Sequence, residues 1–198
     1  WGPDPIRCVE LAIEWQLVLA SAADQEAARS DPLDSVLKSD ARLGLDRFRR
    51  QLHQYPDAER LLNFLSSRSF TWTDGGGSRY LHGSPRDPAE YLFPEDVYNT
   101  RKMATVAASF AETRCFCGHT HVPGVMVQHD DRWDWISAEA CGECYEGGLG
   151  KWICNAGSVG LPRDGDARAG YVLVDEQTVR FRRVEFDLDR TIEKLKRP

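Results

Sequence analysis

Apolar positions in this chain recur first at helical spacing and later at strand spacing. In residues 5–16, Ile6, Val9, Leu11, Ala12 and Trp15 fall largely on one face, with Asp4 placed as a cap and Pro5 at a tolerated first position, so a helix is predicted. The short apolar run 17–20 reads as a buried strand, and the small, polar, acidic stretch 21–32 as a loop with room for a helical turn. Amphipathic helices are predicted over 40–53, on Leu43, Leu45, Phe48 and Leu52, and over 57–66, on Leu61, Leu62, Phe64 and Leu65. Alternating aromatic and threonine residues mark a strand at 70–73, followed by a glycine-rich turn at 74–78 and a short strand at 79–82. A helical turn is expected at 87–91. One long helix is expected over 95–113, with Val97, Met103, Val106, Ala107 and Phe110 inward. Strands follow at 114–117, 125–128, 133–137 and 151–154, with a loop at 138–150. A hairpin of 170–175 and 178–186 is linked by Glu176 and Gln177, and a last amphipathic helix covers 187–196. Helices early and strands late suit a layered α/β domain, taken as a single domain over 1–198.

Composition narrows the class. Apolar residues make up 41% and charged residues 28% of the 198, which is ordinary globular usage. A formal net charge of -6 argues against non-specific nucleic-acid binding through a basic surface. It also means that a phosphate-handling site would need local positive charge, from a metal or an arginine. No apolar stretch has the length of a membrane span, and no signal-peptide pattern opens these residues. A chain this long can bury a core without disulfides, so its six cysteines point to a reducing, cytoplasmic setting.

Candidate chemistry gathers at strand ends, where layered α/β folds place their sites. The segment Cys117-Gly118-His119-Thr120-His121-Val122-Pro123 closes a predicted strand, and its two histidines can aim imidazoles at one point. His82-Gly83-Ser84-Pro85 closes another. Asn155-Ala156-Gly157-Ser158-Val159-Gly160-Leu161-Pro162-Arg163 follows a third, with glycines that permit close backbone approach, so it could buttress a site or offer amides to an anion. His53 and His129 sit among charges and read as surface residues.

These three ordered motifs resemble the second half of the calcineurin-like metallophosphoesterases, most closely the bacterial predicted-phosphodiesterase branch. Trp1-Gly2-Pro3-Asp4-Pro5 and Cys8-Val9-Glu10-Leu11 resemble that branch too. The resemblance implies an αββα sandwich with a two-metal site at the strand ends, hydrolysing phosphodiesters or phosphomonoesters through a hydroxide activated between the metals. It implies His82 and His119 as ligands of one metal and His121 of the other, with Mn, Fe, Zn or Ni as candidate ions. Ser158 and Arg163 would lie near the substrate. Implied substrates are small phosphoesters, nucleotides or phosphoproteins.

The resemblance is incomplete. The family's first strand with its Asp-x-His ligands, and the motif supplying the bridging carboxylate, have no counterpart here, a deficit of roughly 30–40 residues, or one βαβ unit. The third motif, Gly-Asn-His-Asp in the family, best matches Ser21-Ala22-Ala23-Asp24, which keeps only Asp24. Fewer metals than two are then expected. The alternative is a catalytically degenerate fold serving as a binding scaffold. The cysteines offer a competing site: Cys115 and Cys117 on one strand, Cys141 and Cys144 at Cys-x-x-Cys spacing, and Cys154 could supply four thiolates to a structural zinc, or be small core residues.

Overall fold

The computed structural model describes residues 2–29, 39–142, 144–148, 150–176 and 178–196. Trp1, the end of the expected 21–32 loop, Glu143 of the Cys-x-x-Cys segment and Gln177 of the hairpin link lie outside the described residues. In chain order the elements are α1 (Pro5–Glu14), α2 (Ala22–Ala28), α3 (Ser39–Gln54), α4 (Ala58–Ser67), β1 (Thr71–Thr73) and β2 (Ser78–Leu81). A 3-10 turn (Pro94–Tyr98) leads into α5 (Thr100–Ala108), then β3 (Arg114–Cys117), β4 (Gly124–His129) and β5 (Arg132–Ser137). The chain continues with β6 (Tyr145–Glu146), β7 (Trp152–Asn155), β8 (Ala169–Val174), β9 (Thr178–Val184) and α6 (Leu188–Lys196). It divides into two compact units, Trp1–Phe70 with Asp189–Pro198, and Thr71–Leu188.

The first unit is helical. Its core is Val9, Ala27, Leu45, Phe48, Leu52, Leu61 and Leu65. Leu45, Phe48 and Leu52 share one helical stripe, whereas Leu43 lies off it and is 68% exposed. The expected strand at 17–20 reduces to a single parallel bridge between Leu19 and Ser69. The expected loop at 21–32 begins with a helix. Ser21 Oγ accepts the Asp24 N–H at 3.1 Å and Asp24 Oδ2 accepts the Ser21 N–H at 3.0 Å, a capping box that starts α2 in an alanine-rich run.

The second unit is two packed sheets with a helical layer on one side. The six-stranded sheet has the order β1-β2-β3-β7-β4-β5, and the three-stranded sheet the order β6-β9-β8. Strands β2, β3 and β7 are parallel neighbours; β1, β4 and β5 are antiparallel to theirs. Side chains alternate cleanly across the large sheet. Cys115, Cys117, Met126, Trp133 and Ile153 meet Val97, Met103, Val106 and Phe110 from the helical layer. Phe116, Val125, Val127, Trp152 and Cys154 face the small sheet, where Val179 is buried and Val172 and Phe181 pack beside it.

The long helix expected over 95–113 is broken. Asn99 takes a non-helical conformation and its side chain accepts the Lys102 N–H at 3.0 Å, so it caps α5 instead of continuing a helix. The last turn ends where Lys151 donates to the carbonyls of Ala107 and Phe110, placing a cation at the negative end of the helix. The 138–150 loop contains a short strand, β6, because Tyr145 pairs with Val179.

Candidate active site at the ends of three parallel strands

Parallel pairing of β2, β3 and β7 puts their C-terminal ends side by side, and each end releases one of the sequence motifs. His82 follows β2, Gly118 to Pro123 follow β3, and Asn155 closes β7. The ladder runs on past the strands: the Gly118 N–H donates to His82 O at 3.0 Å and the Ala156 N–H to Cys117 O at 3.1 Å.

Both histidines of the second motif adopt left-handed backbone, His119 at φ 67° and His121 at φ 65°. Such a conformation costs a residue with a Cβ about 1–2 kcal/mol, and strain held in place by surrounding bonds often marks a functional site. The bonds come from Asn155, which is 3% exposed. Its Nδ2 donates to Gly118 O and to Thr120 Oγ1, each at 2.8 Å, and its Oδ1 accepts the Gly157 N–H at 2.9 Å. Thr120, between the two histidines, is 1% exposed. Burying Thr120 turns His119 and His121 outward.

His119 Nδ1 lies 2.9 Å from His82 Nε2, and His119 Nε2 lies 3.2 Å from Ala89 O. A carbonyl only accepts, so His119 carries its proton on Nε2 and presents a lone pair from Nδ1. His121 Nδ1 donates to Leu161 O at 2.7 Å, which leaves Nε2 as its lone-pair atom. An imidazole fixed through one nitrogen by a carbonyl is the usual posture of a metal-ligating histidine. Burial pushes the pKa of both imidazoles below its ordinary value, and the positive charge of Arg163 acts in the same direction. That shift favours the neutral imidazole, the form that binds metal.

The loop between His82 and the 3-10 turn completes the setting. Glu90 receives the fork of Arg86, whose Nε lies 2.7 Å away, together with the Ser84 hydroxyl. Arg86 also reaches Thr105 on α5 at 2.8 Å. The clamp holds Ala89 under His119 and Tyr91 against its ring, with centroids 3.8 Å apart. Mainly through the Arg86 fork, the Glu90 carboxyl is held down to about 2. Its stabilising effect is present above the ordinary carboxylate pKa and is lost as pH falls through about 2. Glu90→Gln is expected to destabilise the fold by about 1–2 kcal/mol and to remove that acid-sensitive component, as read by urea melts at pH 7 and pH 3.

The other sequence candidates fall as follows. The Ser158 hydroxyl accepts the Leu161 N–H at 3.0 Å, so it shapes the turn whose carbonyl holds His121. The Arg163 N–H donates to His121 O at 3.3 Å, and its exposed side chain makes no ion pair among the described residues. Asp24 belongs to the helical unit, where it caps α2. The large sheet separates the cysteines: Cys115 and Cys117 sit in the core beneath the helical layer, whereas Cys154 and Cys141 sit between the sheets. All six are free thiols. Among the described residues no three His, Cys, Asp or Glu side chains gather as a metal-holding group.

Burial raises the Cys117 thiol to about 12 and lifts Cys115 and Cys154 well above their usual range. A water-soluble aromatic disulfide is expected to modify exposed Cys8 quickly and these three only after unfolding. Fast modification of all six in the native protein would contradict that burial.

Sequence reading overlooked Ala89, Glu90 and Tyr91 as parts of the site, whereas the segment opening at Asn155 was expected to buttress it, as its amide does. The carbonyl of Ala89 has no sequence signature. Glu90 and Tyr91 gave only the pattern of a turn.

A two-sheet α/β unit with three histidines at the ends of its parallel strands is the frame in which comparison with known proteins becomes specific. The structure matches the crystal structure of a metallophosphoesterase from Sphaerobacter thermophilus with a TM-score of 0.77 and 30% identity, over 98% of this chain and 77% of that one. The chain belongs to the metallophosphoesterase family. A hypothetical protein from Pyrococcus horikoshii shares the fold, with a TM-score of 0.68 and 18% identity over 98% of this chain and 75% of that one. An uncharacterized protein of Methanocaldococcus jannaschii is 32% identical over 129 residues, which cover 59% of this chain and 44% of that protein, so the match spans less than half of that relative. No family model matches the chain. Among the described residues no helix is long and apolar enough to cross a membrane.

Proposed function

We propose that the strand-end site takes part in metal-dependent hydrolysis of phosphoesters. The observation that carries this reading is the 2.9 Å separation of His82 Nε2 and His119 Nδ1, with the second nitrogen of His119 anchored on Ala89 O. Two nitrogens at that spacing with bonds of about 2.1 Å subtend roughly 90° at a shared ion, an ordinary coordination angle. The residues therefore fit a divalent ion. His82 and His119 would hold one ion, and His121, through Nε2, would serve a second. Nitrogen donors of this kind suit Mn, Fe, Zn or Ni. When bound, such an ion supplies Lewis-acid polarisation of a phosphoryl oxygen and acidifies water.

The chain's own groups do the remaining work. Arg163, whose guanidinium makes no ion pair among the described residues, offers it to the phosphoryl oxygens in a protein whose net charge is negative. Ala89 O and Leu161 O orient the two imidazoles and fix their tautomers. Ser158 shapes the turn that places Leu161. The finer reading, in which the family's first βαβ unit and its carboxylate ligands have no counterpart in these 198 residues, belongs to the same proposal.

A second reading has one observation in its favour. At the third motif Ala22 and Ala23 stand where the family resemblance places an asparagine and a histidine, and Asp24 spends its carboxylate on the α2 cap. This favours a scaffold that binds phosphoesters without turning them over. Hydrolysis of bis-p-nitrophenyl phosphate with added Mn decides between them. Turnover that disappears in Arg163→Ala and His119→Ala supports the enzyme, whereas metal and phosphate binding without turnover supports the scaffold.

A further inference from the structure

We infer that Lys102, on α5, is a positioning residue for His119: it fixes the Tyr91 ring against the imidazole and so sets how tightly the histidine pair takes an ion. The inference rests on the metal-dependent reading above and adds to it a residue that touches neither ion nor substrate.

Local helix chemistry does not explain a lysine at this position. Lys102 is the third residue of α5, and the first turn of that helix carries no acidic side chain. The open N–H groups at a helix start favour carboxylates there and oppose cations. The reason for the lysine lies in the loop before the helix. An ammonium has three N–H donors. Lys102 Nζ donates to Tyr91 O at 3.0 Å and to Asp96 Oδ2 at 2.6 Å, and Glu90 Oε1 lies 3.8 Å away. Asp96 Oδ2 also accepts the Phe93 N–H at 2.8 Å, so one cation ties the loop at Glu90, Tyr91, Phe93 and Asp96. The Lys102 side chain is only 18% exposed, so water screens these pairs less than pairs on an open surface.

Both ends of the tie are firm. At one end, Asn99 Oδ1 accepts the Lys102 N–H at 3.0 Å, and the neighbouring Met103 and Val106 are buried against the large sheet. That sheet also carries β3, from which the His119 turn emerges. At the other end, the Tyr91 ring lies on His119 with centroids 3.8 Å and planes 22° apart, and Phe93 backs the opposite face of Tyr91 at 5.5 Å. Tyr91 is thus a wedge between Phe93 and the imidazole. His119 is held by Ala89 O at Nε2, by His82 at Nδ1 and by Tyr91 on its face. Two of these three contacts belong to the loop that Lys102 anchors. An imidazole whose plane cannot swing keeps its Nδ1 lone pair aimed at the ion and loses less freedom when the ion binds.

Two measurements on the whole chain test this. Histidine ring-proton NMR without added metal reads the stack. Protons over an aromatic face are shifted upfield, so those of His119 should return toward ordinary imidazole positions in Lys102→Met and in Tyr91→Leu. Cobalt titration reads the affinity. Lys102→Met is expected to weaken uptake about tenfold, Tyr91→Leu to weaken it as much, and Tyr91→Phe to leave it unchanged. Lys102→Met combined with Tyr91→Leu should bind no more weakly than Tyr91→Leu alone, because the lysine acts through the ring. Val106→Ala, which removes core volume beneath the same helix, should lower the melting temperature and leave both readouts unchanged. Unmoved His119 resonances in Lys102→Met, unchanged cobalt affinity in that variant, or an equal loss in Val106→Ala would each overturn the positioning role and leave the metal reading standing. Losses that multiply in the double variant would overturn the route through Tyr91. No cobalt uptake by the unaltered chain would overturn the metal reading, and this role with it.

Discussion

Gly83→Ala is expected to unseat the histidine pair and to destabilise the protein by about 3 kcal/mol. Gly83 follows His82 immediately, and the next loop folds back over it. A Cβ built on Gly83 would lie 2.4 Å from Pro88 O, 2.5 Å from Pro88 C and 2.6 Å from Asp87 O. All three are backbone atoms, so no side chain can rotate away. The loop itself must lift, and Ala89 and Tyr91 lift with it. His119 then loses the acceptor on Nε2 and the ring on its face. A melting temperature lower by about 10 °C, together with lost metal uptake, is the expected result. A Gly83→Ala protein with unchanged melting and unchanged uptake would show that the loop does not bear on the histidines.

The second large effect is expected at Asn155. Its amide makes three hydrogen bonds in a buried place, to Gly118 O, to Thr120 Oγ1 and from the Gly157 N–H. Asn155→Ala leaves three polar groups there without that partner, each costing about 1–3 kcal/mol when water cannot reach it. Partial relaxation makes a net loss of about 3 kcal/mol reasonable. The larger consequence is local. Without the anchor on Thr120, His119 and His121 have little reason to keep left-handed backbone, and the loop between them relaxes toward ordinary φ. Urea denaturation reads the stability. Histidine side-chain NMR shifts read the geometry, and those of His119 and His121 should move most. Asn155→Asp, which keeps the acceptor but cannot donate, should give an intermediate result.

Much of the second unit was legible in the sequence because its central strands β3, β4 and β7 are buried on both faces and its strands are bounded by turn residues. The strand 114–117 lies where its apolar run put it, and the hairpin after 170 is present as β8 and β9. The helices expected over 5–16, 40–53, 57–66 and 187–196 are present as α1, α3, α4 and α6, whereas two other helical regions were harder to read. The Ser21-x-x-Asp24 capping box was present in the sequence, yet the small acidic residues around it resembled a loop. At Asn99, helical periodicity continued through a residue whose side chain prefers to cap, and local chemistry overrode the period. The histidines were legible because their motifs sit after strands. What fixes them was not: Ala89 O and Leu161 O are backbone atoms, which any residue would supply. Their role depends on how the loops fold back. Of the five candidate cysteines, the period of the strand put Cys115 and Cys117 on one side, as they are, but sequence spacing does not say that Cys154 and Cys141 lie on the other side of the large sheet.

The central claim is that His82 and His119 share a divalent ion. Titration of the purified chain with Co tests it most directly, since cobalt bound to imidazole nitrogen shows itself in the visible spectrum. Saturable uptake is expected, weakened at least tenfold in His82→Ala and again in His119→Ala, and falling as pH drops below the histidine range. Uptake of equal strength in both variants, or none in the unaltered chain, would contradict it.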